Sequence, residues 1–427
     1  MKNRFILLTA ALIAALLLSV SLVSCVGSLF RPATPAQTTV PETDPETPSE
    51  EETEPVFVPI DTDAETEPET TEPPEPDVRT VSFLGAGDCI IYYGNVRDAK
   101  YCAVDGGRAY NFAPMFANVK ERIASADIAF INQETLMCGD GYDFSYYPYF
   151  NGPQDLVYDL AETGFDVINI ANNHMLDKKA AGLSATMDLY GTLDGVTMIG
   201  GYRDRADYEN VRVVEKNGIR VAFLSYTEHT NYITLDAGSP IVIPYPDPEA
   251  IPGEIARAKE MADFVIVSVH WGSENTFTPN AKQKELASLF AESGADAIIG
   301  HHPHVIQPVE WIECEDGRRT LCVYSLGNFI AEQEYDFQML GGMISFDMVL
   351  TDGVPSIVNA EFIPTVYYFN ISFYKNQVYY LKDFTDALAA SHGLPYYGRT
   401  LYLSNLKTYL NNTVSSAFLG EYLAETE

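Results

Sequence analysis

Six of the seven histidines in this chain lie between His174 and His304, in short polar phrases that follow apolar runs. Carboxylate and amide side chains follow other apolar runs in the same way. The candidate metal ligands are Asp88, Glu134, Asn173, His174, His270, His301, His302 and His304. Any one of them alone is typical of a turn, a cap or a hydrogen-bonded core residue. Their recurrence at the same end of successive segments instead predicts one shared pocket that binds metal.

The ligand types narrow the choice of ion and of chemistry. Oxygen and nitrogen ligands without thiolates favour manganese, iron or zinc over calcium. Two such ions about 3.5 to 4 Å apart would bind a phosphoryl or carbonyl oxygen and form hydroxide from bound water at neutral pH. The residues therefore predict a hydrolase that holds one or two divalent transition-metal ions.

The candidate ligands must be positioned by the segments that precede them in the sequence, and these segments alternate between helical and strand-like patterns. Predicted strands cover 81–84, 128–132, 165–171, 264–269 and 297–300, and predicted helices cover 116–124, 154–163, 183–193, 251–261 and 281–293. A hairpin that turns at Asn217-Gly218, and strands at 343–350 and 357–368, follow the same reasoning. The alternation predicts a layered α/β domain whose ligands gather at one edge, beyond the carboxyl ends of the strands.

Several phrases resemble the CapA family, which is associated with poly-gamma-glutamate capsule synthesis. They are Gly87-Asp88, Asn132-Gln133-Glu134, Asn172-Asn173-His174, His270-Trp271-Gly272, Gly300-His301-His302-Pro303-His304 and Tyr324-Ser325-Leu326-Gly327-Asn328-Phe329. The family is related to calcineurin-like metallophosphoesterases. The resemblance therefore implies an α/β fold, a β-sandwich flanked by helices, with a two-metal centre at its edge.

The resemblance also implies a role for each matching residue. Asp88 would be a metal ligand, Glu134 would replace the bridging carboxylate, and Asn173 would bind the second metal. The remaining ligands of the metal shell would be His270, His302 and His304, and His301 could substitute for His302 because the doubled histidine leaves the register open.

The resemblance also implies that two further residues carry out proton transfer. His174 would donate a proton to the leaving group, and Asp177 would orient it. Asn328 could hydrogen-bond a ligand histidine or a substrate, although Gly327-Asn328 is equally a strand-end turn. His229 also follows an apolar strand. Because it matches no motif, a position outside the site is favoured over a position at the site.

One departure from the phosphoesterase pattern bears on the number of metal ions. Those relatives carry Asp-x-His in the first motif, whereas this chain has Asp88-Cys89-Ile90, and Ile90 cannot bind a metal. One ion would then lack a ligand. This difference supports an alternative in which the protein is a non-catalytic accessory that handles polymer for a membrane synthase.

The N-terminal end predicts export and attachment to the membrane. Residues 1–25 begin with Lys2 and Arg4, continue with an apolar run and end in Leu-Val-Ser-Cys25, which resembles a bacterial lipoprotein signal with lipidation of Cys25. An uncleaved membrane anchor is the alternative. Residues 26–78 are acidic and rich in Pro and Thr, which predicts a disordered tether. Residues 79–335 would form the metallophosphatase-like core, and 336–427 would complete the domain with strands and a helical tail.

Charge and cysteine content limit the partners. The net charge is −34, and without the first 78 residues 23 basic and 45 acidic residues remain, a net charge of −22. This balance argues against nucleic acid as a partner. Cys314 and Cys322 flank a predicted turn and are the first candidates for a disulfide across a hairpin, and His392 is expected at the surface.

Together these expectations describe a lipid-anchored protein on the extracytoplasmic face of the bacterial cell membrane. Its partners would be the membrane, capsule-synthase subunits, and an anionic polymer or a phosphorylated small-molecule substrate. The first hypothesis is a metal-dependent hydrolase, phosphoesterase-like or acting on an amide or isopeptide polymer, in capsule polymer synthesis, export or anchoring. The second is the non-catalytic polymer-handling accessory.

Overall fold

Two β-sheets dominate the computed structural model, which describes residues 75–420 and 422. The strands, numbered in chain order, are β1 (Val78–Cys89), β2 (Ile128–Gln133), β3 (Val167–Asn169), β4 (Thr197–Ile199), β5 (Arg212–Lys216), β6 (Ile219–Thr227), β7 (Phe264–His270), β8 (Ala297–His301), β9 (Val309–Glu313), β10 (Arg319–Val323), β11 (Asn328–Ile330), β12 (Leu340–Thr351), β13 (Val354–Tyr368) and β14 (Gln377–Tyr380). The predicted signal peptide, Cys25 and most of the predicted tether lie outside the described residues.

The first sheet has the order β14-β13-β12-β1-β2-β3-β4, and β11 also pairs with β1. Strands β1 to β4 run parallel, whereas β12, β13 and β14 are antiparallel. The second sheet has the order β5-β6-β7-β8-β10-β9, with β6, β7, β8 and β10 parallel. Because each sheet contains four adjacent parallel strands, several strands end at the same edge.

The two sheets face each other across a shared apolar core. Phe83 of β1 stacks on Phe223 of β6, with ring centroids 6.5 Å apart. Along β7, Phe264 and Ile266 belong to this core, whereas Val265 and Val267 face the opposite side of the sheet. Both faces of β7 are therefore covered, which explains why the strand is an unbroken apolar run in the sequence.

Helices cover the outer faces and make the crossovers between parallel strands. They are α1 (Tyr93–Tyr101), α2 (Lys120–Ser125), α3 (Asp155–Thr163), α4 (Lys179–Tyr190), α5 (Arg205–Glu209), α6 (Ile251–Met261), α7 (Ala281–Ser293), α8 (Asp386–Ala390) and α9 (Leu403–Thr413). Helices α6 and α7 pack on the outer face of the second sheet through Ile255 and Phe290. The predicted fold class, a β-sandwich flanked by helices, is confirmed.

Several local predictions are confirmed, and others are wrong. Helices α6 and α7 have the predicted bounds, and the hairpin turns at Asn217-Gly218 between β5 and β6. The helix predicted over 116–124 is instead a short 3-10 helix, Ala113–Phe116, followed by α2. The ligand-bearing strands were expected to share one edge, but they come from two sheets, because β1, β2 and β3 pair in the first and β7 and β8 in the second.

Two predictions about single residues are also wrong. Cys314 and Cys322 are free, because Cys322 pairs with Glu310 on the neighbouring strand while the backbone of Cys314 bonds Arg318 at the turn. His392 is buried rather than at the surface, and its Nε2 lies 3.2 Å from the carbonyl oxygen of Tyr367. Within the described part of the chain, no helix is long and apolar enough to cross a membrane.

Candidate metal centre

The first sheet brings its polar side chains to the carboxyl ends of three adjacent parallel strands. Asp88 is the penultimate residue of β1, Glu134 follows β2, and Asn173 and His174 lie in the loop after β3. The register between β1 and β2 shifts between Ala86 and Asp88. Beyond this shift β1 pairs with β11, and the Asp88 amide donates to the carbonyl of Gly327 at 2.9 Å.

The second sheet contributes histidines from β7 and β8. The alternation along β7 that points Phe264 and Ile266 into the sandwich also directs His270 to that side, and His301 ends β8 beside it. Gly300 permits a close approach of β8 to the next strand, because a Cβ atom there would lie 2.0 Å from the carbonyl oxygen of Tyr324.

The loop after β8 carries His302 and His304 in unusual backbone conformations. Their φ angles are 95° and 56°, in the left-handed region that few non-glycine residues adopt. The Asn328 Nδ2 donates to the His304 carbonyl at 3.2 Å and to the Gln338 carbonyl at 3.0 Å. Asn328, the first residue of β11, therefore holds the backbone of this loop. Its side chain bonds the main-chain carbonyl of His304 and not a histidine ring.

Glu134 stands at the centre of the cluster. Its Oε1 lies 3.6 Å from His270 Nε2 and 3.7 Å from His304 Nε2. This oxygen is buried and has no hydrogen-bond partner among the described residues. Within residues 75–420 and 422, two groups of side chains have ligand atoms close enough to share an ion, and both include Glu134: Asp88, Glu134 and His270, and Glu134, His302 and His304.

Asp88 is the second buried carboxylate and is heavily hydrogen-bonded. Its Oδ1 lies 3.1 Å from His301 Nδ1 and accepts from Asn132 Nδ2 at 2.8 Å, and its Oδ2 lies 3.2 Å from His304 Nδ1. Burial opposes ionisation, but hydrogen bonds to His301 and His304 outweigh it and hold the pKa of Asp88 well below its usual range. Asp88 is thus an anion at neutral pH.

The other titratable groups respond to the same burial in different directions. Burial raises the pKa of Glu134 well above its usual value, and the charge of Asp88 adds to this effect. Burial also lowers the pKa of His302 to about 3 and that of His270 well below its usual value. For His304, burial is outweighed by the carboxylates of Glu134 and Asp88, which raise its pKa to about 9. His270 and His302 are therefore neutral at pH 7, as metal ligands must be.

The doubled histidine has two distinct environments. His302 belongs to a candidate ligand group, and its Nδ1 lies 3.1 Å from His270 Nε2. His301 is fully buried, stacks on Phe130 with ring centroids 5.6 Å apart, and contacts Asp88 through Nδ1. The geometry favours His302 over His301 in the cluster. Ile90 is buried in an apolar cluster with Phe150 and Ala331 and belongs to neither candidate ligand group.

His174 and Asp177 form a hydrogen-bonded pair beside the ligands. His174 Nδ1 lies 2.8 Å from Asp177 Oδ2, which also accepts from the Phe150 amide at 2.6 Å. The Phe150 ring contacts the imidazole edge to face at a centroid distance of 4.7 Å. Both rotation and tautomer of His174 are therefore fixed, because a carboxylate only accepts hydrogen bonds.

The structure adds residues that the sequence motifs did not mark. Asn169 Nδ2 donates to Asn132 Oδ1 at 2.8 Å, and Ser225 Oγ donates to Asn169 Oδ1, so a buried chain of hydrogen bonds supports the bond from Asn132 to Asp88. His229 faces His302 with ring centroids 5.1 Å apart, and Asn231 contacts Asn173. Ser225, His229 and Asn231 lie on or after β6, whose end meets the same edge, whereas Asn169 ends β3. The sequence had offered His229 as a less favoured site residue because it follows an apolar strand, but only the topology could have signalled Ser225 and Asn231.

A divalent cation fits this donor set. Glu134 Oε1, His270 Nδ1 and His301 Nε2 are buried without hydrogen-bond partners in the described part of the chain. Two buried carboxyl groups and the neutral imidazoles of His270 and His302 lie within a few ångströms of one another, an arrangement that a cation would stabilise. Nitrogen and oxygen donors of this kind suit transition-metal ions.

Comparison with known proteins agrees with the resemblance seen in the motifs. A family model described as bacterial capsule synthesis protein PGA_cap matches residues 82–333, which include every candidate ligand. The chain belongs to this family. The PGA_cap match ends just before β12, and the CapA resemblance is confirmed by the curated relatives.

Two relatives illustrate the extent of the similarity. The PGA biosynthesis protein CapA of Bacillus subtilis is 35% identical over 175 residues, which cover 41% of this chain and 44% of that protein. The capsule biosynthesis protein CapA of Bacillus anthracis is 33% identical over 189 residues, covering 42% and 43%. The matched region thus spans less than half the length of each relative.

A solved structure shows a more distant likeness. The calcineurin-like phosphoesterase YfkN from Bacillus subtilis is 14% identical, with a TM-score of 0.40, and the comparison covers 67% of this chain and 91% of that one.

Proposed function

We propose that this protein is a metal-dependent hydrolase of phosphoester bonds that serves capsule-polymer synthesis. The observation that carries the proposal is the position of Glu134: its Oε1 atom is buried without a hydrogen-bond partner among the described residues, and the residue belongs to both candidate ligand groups. A carboxylate shared by two ligand groups is suited to bridge two ions. The family supports the cellular process, and the geometry supports the reaction type.

The ligand roles follow from the two groups. Asp88, Glu134 and His270 would hold one ion, with Asn173 Oδ1 beside them at 3.1 Å from His270 Nε2. Glu134, His302 and His304 would hold the other. When bound, such ions polarise a phosphoryl oxygen and lower the pKa of bound water.

His174 would supply the proton that the leaving group needs. Its Nδ1 proton is committed to Asp177 at 2.8 Å, so Nε2 is the atom that delivers a proton. The Phe150 ring packs against the imidazole and covers one side of it. His174 therefore acts as a general acid whose orientation is fixed before substrate arrives.

Metal content together with turnover tests the proposal. We expect the purified full-length chain to carry about two transition-metal equivalents and to hydrolyse members of a panel of phosphomonoesters and phosphodiesters. A His270→Ala, His304→Ala double variant removes one ligand from each group and should lose both properties. Glutamyl amides in the same panel separate phosphoester from amide chemistry, and turnover of the amides alone would contradict the assignment.

The second candidate, a non-catalytic accessory, is favoured by Ile90. This residue stands where phosphoesterase relatives carry a histidine, and its side chain, which cannot bind a metal, is buried against Phe150 and Ala331. Absence of transition metal and of turnover from the wild-type chain would support the accessory. About one equivalent of transition metal without turnover would indicate a degenerate metal centre and would also support the accessory.

We further propose that the protein is a lipoprotein on the extracytoplasmic face of the membrane, associated with capsule-synthase subunits. Leu22-Val23-Ser24-Cys25 after an apolar run supports this assignment. In cells, we expect a Cys25→Ser variant to lose incorporation of labelled palmitate, whereas Cys102→Ser should keep it. Equal labelling of Cys25→Ser and wild type would refute lipidation, and cleavage-independent membrane retention would indicate an uncleaved anchor.

A further inference from the structure

The loop after β6 lies against the metal centre although no motif marks it. Asn231 Oδ1 accepts from Asn173 Nδ2 at 3.3 Å, and Asn231 Nδ2 lies 3.4 Å from His174 Nδ1. The loop also places the ring of His229 against His302. One asparagine thus touches both a candidate ligand and the candidate acid.

The backbone of this loop is strained at Asn231 and at its neighbour. Asn231 has a φ angle of 49° and Tyr232 one of 61°, both in the left-handed region. Asparagine tolerates this region, but tyrosine pays roughly 1 kcal/mol or more to occupy it. The Tyr232 side chain is fully exposed, at 102%, so burial does not offset that cost. Backbone strain of this kind is retained where it serves a functional contact. In this loop, that contact is the one that the Asn231 side chain makes with Asn173 and His174.

Hydrogen-bond polarity fixes what the Asn231 amide can do. Its Oδ1 is used by Asn173, whose own Oδ1 is thereby turned towards His270 at 3.1 Å. Its Nδ2 lies near His174 Nδ1, but that nitrogen carries the proton donated to Asp177 and cannot accept another. The Asn231 Nδ2 group therefore has donor hydrogens at the edge of the cluster that a ligand oxygen would satisfy.

We propose that Asn231 is a substrate-binding residue whose Nδ2 donates a hydrogen bond to a non-bridging phosphoryl oxygen. Through Oδ1, the same residue orients Asn173. This inference rests on the proposed hydrolase function and assigns a residue outside the motifs to the recognition of the phosphoryl group.

The two roles can be separated with two substitutions. Asn231→Asp keeps an oxygen for Asn173 and tolerates the left-handed backbone, but it replaces the donor by an anionic oxygen that repels phosphate. Asn231→Gly removes both groups and relieves the backbone strain, so it remains informative if the first variant folds poorly. Asn210→Asp, at an exposed position outside the site, adds the same charge and serves as the matched control.

Calorimetric binding of inorganic phosphate to the manganese-loaded full-length chain, with metal content measured in parallel, tests the assignment. We expect Asn231→Asp to keep its manganese and to bind phosphate at least about 10-fold more weakly, which corresponds to one lost charged hydrogen bond. Asn231→Gly should weaken both phosphate and manganese binding. Asn210→Asp should match wild type in both.

The outcomes distinguish this inference from the function on which it rests. Wild-type phosphate affinity in Asn231→Asp would overturn the role of Asn231 and leave the hydrolase intact. Loss of manganese from Asn231→Asp would also overturn it, because the residue would then act on the ligands rather than on phosphate. A wild-type chain that neither binds phosphate nor hydrolyses phosphoesters would overturn the proposed function and this inference with it.

Discussion

Several side chains in this centre are positioned by hydrogen bonds from neighbours that are not themselves candidate metal ligands. His174 is held by Asp177, and Asp177 in turn is held by the Phe150 amide. Asp88 receives its bond from Asn132, which is supported by Asn169. Such supporting residues commonly change metal affinity or activity by about 10- to 100-fold when they are replaced.

Replacement of Asp177 by asparagine isolates the orienting role. The amide offers one acceptor oxygen in place of two, and it can present a donor where Nδ1 needs an acceptor. We expect kcat of Asp177→Asn to fall by about 10- to 100-fold, with metal content unchanged. Steady-state kinetics on a phosphoester, alongside elemental analysis, measure both quantities.

The matched control for that substitution is Asp188→Asn, which removes the same charge from an exposed carboxylate that pairs with Arg203. Its kcat should equal that of wild type. A loss of metal from Asp177→Asn would show that Asp177 supports the ligand shell instead of the acid.

At the residue scale, most residues of the cluster could be predicted from the sequence, and each of the others was missed for a physical reason. Sequence reasoning named Asp88, Glu134 and His270 because each follows an apolar run. It left His301 and His302 open, since the choice depends on a backbone φ of 95° at His302 that no pattern encodes. It missed Asn231, which reaches the site only because β6 ends at the same edge as β7.

At the element scale, helices with complete end signals were the most predictable. Helix α7 begins after Asn280, whose side chain accepts from the Gln283 amide at 2.9 Å, while Gln283 Oε1 accepts from the Asn280 amide at 3.0 Å. The helix ends at Gly294, with a φ of 114°. Three-residue strands such as β4 and β11 are too short to show a periodicity, and only pairing with a neighbour defines them.

The start of α7 also matters for the site. Gln283 Nε2 donates to Gln307 Oε1 at 2.8 Å, and a Cβ atom at Gly272, two residues after His270, would lie 2.6 Å from the Gln283 side chain. The helix cap therefore sits directly behind the loop that follows β7. This close approach explains the glycine in His270-Trp271-Gly272.

Loss of the cap should cost stability without removing metal. We expect Asn280→Ala to lower the free energy of unfolding by about 1 kcal/mol, the usual contribution of an N-cap side chain. Urea unfolding measures the change. Lys284→Ala, at an exposed position of the same helix, should stay within about 0.5 kcal/mol of wild type. Equal stabilities of Asn280→Ala and wild type would show that this cap is dispensable.

At the scale of the whole molecule, the C-terminal strands belong to the sheet that carries Asp88. The family match ends at residue 333, yet β12 pairs with β1 from Val78 to Ala86. Sequence patterns showed strands in this region but not their partner, because pairing between distant segments leaves no local signature. The strand that presents Asp88 thus lies between β2, which is inside the family match, and β12, which is outside it.

The division of the ligands between two sheets has a consequence for when the centre can form. The ligands run from Asp88 to His304, and they converge only when both sheets are in place. No partly folded chain holds the whole set, so binding of metal and completion of the fold are linked. If the lipoprotein proposed here folds after export, the ions it acquires would be those present outside the cytoplasmic membrane, and its metal composition would report the supply in that compartment.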